Sequence, residues 1–185
     1  RAPPRRWERR VDDEDFLSLR IGVGERPAAI RLSMRTGDGP LHEADPVCLE
    51  AARGLQRRYA TLREQPVCLD LREAGVVTVV GDRSVGRRLA TAMLLHLVTL
   101  HAAEEVRLAL VRAPSLAAAW EWVKWLPHHQ HPGLRDGDLP ARLVAPTVAA
   151  MAELLAGELT ARVEAHRRRR GQTVRPRRHL VVVVD

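Results

Sequence analysis

The sequence predicts an α/β fold: a mainly parallel sheet with helices on both faces, plus a pair of antiparallel strands at the N-terminus. Three observations predict it. Beyond residue 75, short apolar runs alternate with helical patterns: "VVTVV" (76–80), "VRLALV" (106–111), "RLVA" (142–145) and "LVVVV" (180–184). Strands that read as continuous apolar runs are buried on both faces, as in parallel sheets covered by helices. Near the N-terminus the pattern differs. Leu17, Leu19, Ile21 and Val23 alternate with polar or small residues, and so do Ile30, Leu32 and Met34. A period of two gives half-buried strands, and "GERP" (24–27) supplies the turn between them.

The elements follow in order. Residues 1–15, "RAPPRRWERRVDDED", are rich in proline and charge and carry no apolar stripe, so they read as a connector or stalk from an upstream segment. The domain occupies 16–185. Asp45 and Pro46 open a helix as N-cap and first helical residue. Cys48, Ala51, Ala52, Leu55, Tyr59 and Leu62 share its apolar stripe, and Pro66 ends it by its missing N–H. Strands are expected at 67–71 and 76–80, then helix 86–101, strand 106–111, helix 116–126, strand 142–145, helix 147–166 and strand 180–184. The strand at 76–80 is expected beside that at 180–184. The chain starts without Met and finishes on an apolar strand, so it reads as a C-terminally incomplete piece of a longer polypeptide.

Composition narrows the partners. Aromatic residues are only four Trp, one Tyr and one Phe, so the core must be built from Leu, Val and Ala. The longest apolar stretch, 89–100, is broken by Thr91, His96 and Thr99 and falls short of the ~20 residues of a membrane span. Cys48 and Cys68 lack metal-ligand spacing and read as buried thiols in a reducing compartment. The net charge of +7 equals the seven arginines of 167–178, so one loop carries the whole excess. That loop is read as mobile and solvated, binding neither ATP nor specific nucleic acid.

The stretch "GDRSVGRR" (81–88) carries the chemistry of interest. With 12 glycines in 185 residues, roughly one pair at that spacing arises by chance. Its setting is more informative: an apolar run before and a long helix after, the arrangement that presents N–H groups to a phosphate. Gly81 and Gly86 occupy the glycine positions of a P-loop, which makes the predicted sheet P-loop NTPase-like. Arg87 then stands where a slim lysine belongs, and Arg88 where a hydroxyl should meet Mg²⁺. A guanidinium has no acceptor to offer a metal. The run "HLVVVVD" ends in Asp185, placed as a Mg²⁺-binding strand acid would be. The candidate site is therefore Gly81, Gly86, Arg87 and Arg88 with Asp185 as metal candidate, expected to be degenerate and without a cofactor. ATP and Mg²⁺ are the alternative. His128, His129 and His131, in "WEWVKWLPHHQHP" (120–132), read as solvated loop histidines, and the tryptophans as a packed helix edge or subunit contact.

The stretches "WERRVDDEDFLSLRIGVG", "DPVCLEAARGL", "GVVTVVGDR", "WEWVKWLPHHQHP" and "HLVVVVD" together resemble the FtsK/SpoIIIE-type core ATPase of type VII (ESX) secretion, EccC, over almost the whole chain. The matching region follows the family's transmembrane helices and precedes its three recognised ATPase domains. The resemblance implies a fourth, degenerate ATPase-like domain at the cytosolic face of the plasma membrane. It also implies other secretion subunits and the downstream ATPase domains as partners, within a hexamer. Arg87 and Arg88 depart from the family's phosphate-loop pattern. Two other functions fit the residues: a working ATP-binding domain of the same motor, and a fragment of a DNA translocase.

Overall fold

A computed structural model describes residues 5–33, 45–168 and 178–185. The fold is mixed α/β, with a parallel sheet and an antiparallel pair of strands at the N-terminus. The pair is β1 (Ser18–Pro27) and β2 (Thr61–Asp70). Between them lies α1 (Pro46–Tyr59), capped by Asp45 through Val47 N–H. After β2 come the single turn α2 (Leu71–Ala74) and the long α3 (Arg83–Leu100). Strand β3 (Val106–Val111) leads into the 3₁₀ turns Pro114–Leu116, Ala118–Trp125 and Pro127–His129. The chain continues through β4 (Gln130–Asp136), β5 (Leu139–Arg142) and β6 (Val144–Ala145). It then forms α4 (Val148–Leu154), α5 (Ala156–Arg168) and β7 (His179–Val184).

The parallel sheet has the order β6-β3-β7, and β3 is buried along its whole length. Its two faces serve two clusters. Val106, Leu108 and Leu110 pack with Met93, Leu94 and Leu97 of α3 and with Phe16, Leu17 and Leu19. Ala109 and Val111 pack with Met151, Leu155 and Leu143 on the opposite side. This is the strand period of two acting on a run that is apolar except for Arg107. Arg107 belongs to the second face and is 6% exposed. It pairs with Glu158 of α5, which also bonds Arg162 at 2.6 Å.

Several expectations are corrected. Residues 76–80 form no strand, and β7 takes β3 as its ladder partner instead. Val76 and Val80 are 85% and 90% exposed, so this run lacks the neighbour that would bury it. The partner of β1 is β2, with Pro27 opposite Thr61 and Ser18 opposite Asp70. Residues 28–33 therefore form no strand, and α1 stops at Tyr59 because Thr61 and Leu62 are recruited to the ladder. Met34 lies outside the described residues. Glu64 takes φ 54° where the register slips, opposite the glycine-rich part of β1. The expected helix at 116–126 is 3₁₀, and that at 147–166 is two helices meeting at Leu155. Cys48 and Cys68 are exposed free thiols, since no residue of α1 is buried and Cys68 alternates with Leu69, the β2 residue that packs on the core.

Residues 5–15 pack against the end of α3. Trp7 N–H donates to Thr99 O at 2.8 Å, its indole Nε1–H to Val98 O at 3.2 Å, and Arg9 N–H to Leu100 O at 3.0 Å. Phe16, the only phenylalanine, is fully buried beside them. Most of the arginine loop expected to be mobile, residues 169–177, lies outside the described residues.

Candidate functional site

The run "VVTVVGDRSVG" passes from apolar chain into α3 through Gly81, whose φ of 138° is a conformation that an L side chain resists. Asp82 is the N-cap. Its Oδ1 accepts from Ser84 N–H at 2.9 Å, Val85 N–H at 3.0 Å and Ser84 Oγ–H at 2.6 Å. These bonds, that from the Ser84 hydroxyl foremost, hold the carboxyl below its ordinary range. The first N–H groups of a helix are those that would bind a phosphate, and here a carboxylate of the same chain occupies them. Gly86 allows close packing, because a Cβ there would stand 3.3 Å from Val79 Cγ1.

One turn into α3, Arg87 reaches Asp185 with two donors. Nε–H lies 2.6 Å from Oδ2, and Nη2–H lies 3.2 Å from Oδ1. Trp120, 2% exposed, adds its indole N–H to Asp185 Oδ2 at 2.7 Å. The Arg87 hydrogen bond, opposed by partial burial and reinforced by Trp120 and by the charges of Arg87 and Arg83, holds Asp185 below the usual carboxylate range. Arg87 is raised in turn, chiefly by its bond to Asp185. Two-point arginine–carboxylate pairing is among the stronger charge-assisted contacts.

Gly81, Gly86, Arg87 and Asp185 line one cleft of ≈ 950 Å³, running between residues 76–79 and β7. Arg88 is exposed and does not line it. Two residues of the site escaped the sequence reading. Asp82 had a signal, an aspartate directly before a helical run, which is an N-cap signature. Trp120 had none, because 65 residues separate it from Asp185.

The histidines are corrected as well. His128 and His129 are 2% and 3% exposed rather than solvated. His128 Nε2–H donates to His101 O at 2.8 Å, and His129 Nδ1–H to Leu108 O at 3.0 Å. They anchor the 3₁₀ turns to the end of α3 and to β3. His131 is the surface member, and its Nδ1 accepts from Gly133 and Leu134 N–H. Among the described residues no group of three metal-ligating side chains occurs.

No family model matches the chain. Individual relatives do. The ESX-4 secretion system protein EccC4 of Mycobacterium tuberculosis is 40% identical over 162 residues, 88% of this chain and 13% of its own length. The ESX-3 secretion system protein EccC3 of the same species is 32% identical over 181 residues, 98% of this chain and 13% of its own. The ESX secretion system protein EccC of Thermomonospora curvata is 30% identical over 156 residues, 84% of this chain and 12% of its own. An α/β fold with a phosphate-loop-like turn facing a strand-end aspartate, together with these identities, sets the class. The chain belongs to the EccC family of ESX secretion system proteins. It spans about one eighth of the length of the relatives it matches.

Proposed function

We propose that this chain is a structural and coupling domain of a type VII secretion ATPase, with an ATPase-like fold that neither binds nor hydrolyses nucleotide. In this reading it links a membrane complex to motor domains of the same protein at the cytosolic face of the membrane, within a hexamer. No described helix is long and apolar enough to cross a membrane.

The observation that carries the proposal is the Arg87–Asp185 pair. A metal ligand must offer free carboxylate oxygens, and both oxygens of Asp185 are taken by Arg87, with Trp120 on one of them. Arg88 offers no acceptor and does not line the cleft. Asp82 supplies a negative charge where a phosphate would sit. Mg·ATP does not fit these residues as they are arranged, and no catalytic step is assigned to them.

Isothermal calorimetry tests the reading. Titrating ATP with and without Mg²⁺ is expected to show no Mg²⁺-dependent binding. A dissociation constant tighter than about 50 μM that requires Mg²⁺ would overturn the proposal and make the domain a working ATP site.

A further inference from the structure

An α-helix ends with four carbonyls that no residue of the helix can satisfy. In α3 these belong to Leu97, Val98, Thr99 and Leu100. The local sequence does little for them. The last turn holds no basic residue, and His101 follows with φ −115° rather than in the left-handed conformation of a glycine cap. His101 serves Leu97 O with its backbone N–H at 3.0 Å and its Nδ1–H at 2.9 Å. The entry segment serves the other three. Trp7 gives its indole N–H to Val98 O, 91 positions away, and its backbone N–H to Thr99 O. Arg9 gives its backbone N–H to Leu100 O. Its side chain closes the loop that follows, with Nη1–H on Asp15 O and Ser18 O.

The two ends of this segment are held differently. Phe16 is fully buried, with His101 and His179 ring centroids 5.0 and 5.1 Å from its own. Leu17 N–H donates to His101 Nε2 at 3.0 Å, and Leu17 O accepts from Leu71 N–H at 3.1 Å. Leu17 turns the chain into β1 with φ 60°, a left-handed backbone that a buried leucine keeps only when its surroundings dictate it. Phe16 and Leu17 are therefore a fixed pivot. Residues 12–15 are exposed, and Trp7, Arg9 and Val11 are only half-buried. A surface unit with few buried contacts opens well below global unfolding. We propose that residues 7–15 are a latch on the Phe16–Leu17 pivot. Closed, it caps α3; it opens as one unit and leaves the last three carbonyls of the helix without protein partners. A pull on the chain upstream of Trp7 then acts first on α3, the helix whose other end holds Asp185 through Arg87. That role rests on the coupling function proposed above, whereas the latch rests on the bonds alone.

Residue-resolved amide exchange on the full-length protein is the test. Trp7 and Arg9 are expected to share one protection factor, about 10- to 10³-fold over a free chain, while Leu17 is protected like β3. Trp7→Phe keeps an apolar ring and deletes the indole donor. It should lower protection at position 7 and at Arg9 together, by about fivefold or more. Three results would overturn the latch: no protection at Trp7 and Arg9, protection there equal to that of Leu17, or a fall confined to position 7. Export by the full-length protein separates the latch from the coupling function. Trp7→Ala with Arg9→Ala opens the latch, and export is expected to be lost. Unchanged export, with the parent's exchange as expected, upholds the latch and refutes the coupling function instead.

Discussion

Arg87 and Asp185, 98 positions apart in the chain, are joined by two hydrogen bonds of 2.6 and 3.2 Å across the mouth of the cleft. The helix that would present a lysine to phosphates instead presents a guanidinium to the strand-end acid. That contact ties α3 to β7 and leaves Asp185 acting as an arginine partner. Trp120 joins the 3₁₀ segment to the same carboxylate.

Arg87→Ala and Asp185→Ala are expected to be coupled. Each alone should lower the Tm by a few degrees, and the double variant by less than their sum, because both remove one contact. The folded Asp185 has a depressed pKa, so its contribution is present above the ordinary carboxylate value of 3.8 and is lost as pH falls below it. Additive losses in a thermal-denaturation cycle would show that the pair is energetically idle.

Asp82→Ala should remove the cap of α3 and lower the Tm by roughly 2–4 °C. It also frees the Ser84 and Val85 N–H groups at a helix N-terminus. Sulfate should therefore stabilise the variant more than the parent chain in matched thermal scans at constant ionic strength. An equal sulfate response would show that the carboxylate does not exclude an anion there.

His101 links stability to pH. It is fully buried, and Leu17 N–H donates to its Nε2 at 3.0 Å, so that nitrogen must be an acceptor. The proton then sits on Nδ1, 2.9 Å from Leu97 O. Burial is the main cause that pulls its pKa from 6.5 to about 4. Between those values the unfolded chain binds a proton that the folded chain refuses, so stability is full above pH 6.5 and falls towards pH 4, by up to about 3 kcal/mol. Burial shifts His128, His129 and His179 in the same direction. Urea unfolding at pH 7 and pH 4.5 should show the loss, and His101→Gln should flatten it.

Glu158→Ala should be among the costliest single changes, at about 3–5 kcal/mol, because it strands the buried Arg107 guanidinium. Burial opposes the charged form of Glu158, but the Arg162 hydrogen bond and the charges of Arg107 and Arg162 outweigh it. Replacing both partners by apolar residues, Arg107→Met with Glu158→Leu, should recover most of the loss in chemical denaturation.

Gly81→Ala and Gly86→Ala should separate. At Gly81, φ 138° makes any side chain strained, and a loss of about 1–3 kcal/mol is expected. At Gly86 the nearest atom belongs to Val79, which is 47% exposed and can yield. Alanine there gains helix propensity of up to about 1 kcal/mol, so the measured change should be neutral or stabilising.

What the sequence determined by itself was the set of local periods and breakers. The run 106–111, apolar except for Arg107, reads as a doubly buried strand, and it is β3 with the expected boundaries. Residues 180–184 became β7 with one residue added, and Asp45 caps α1 as its chemistry dictates. The glycine turn before α3 was also legible, because only glycine tolerates the backbone needed at residue 81. Tertiary structure decided the pairings. Nothing local tells β1 to choose β2 over residues 30–34, because any alternating segment can serve as partner and the choice rests on long-range burial. The same holds for residues 76–80, which read as a strand but lie outside any ladder. His128 and His129 look like solvated loop residues until β3 and the end of α3 supply carbonyls for them. Only the folded chain brings Arg87 to Asp185, since a charge pair so distant in sequence leaves no periodic trace.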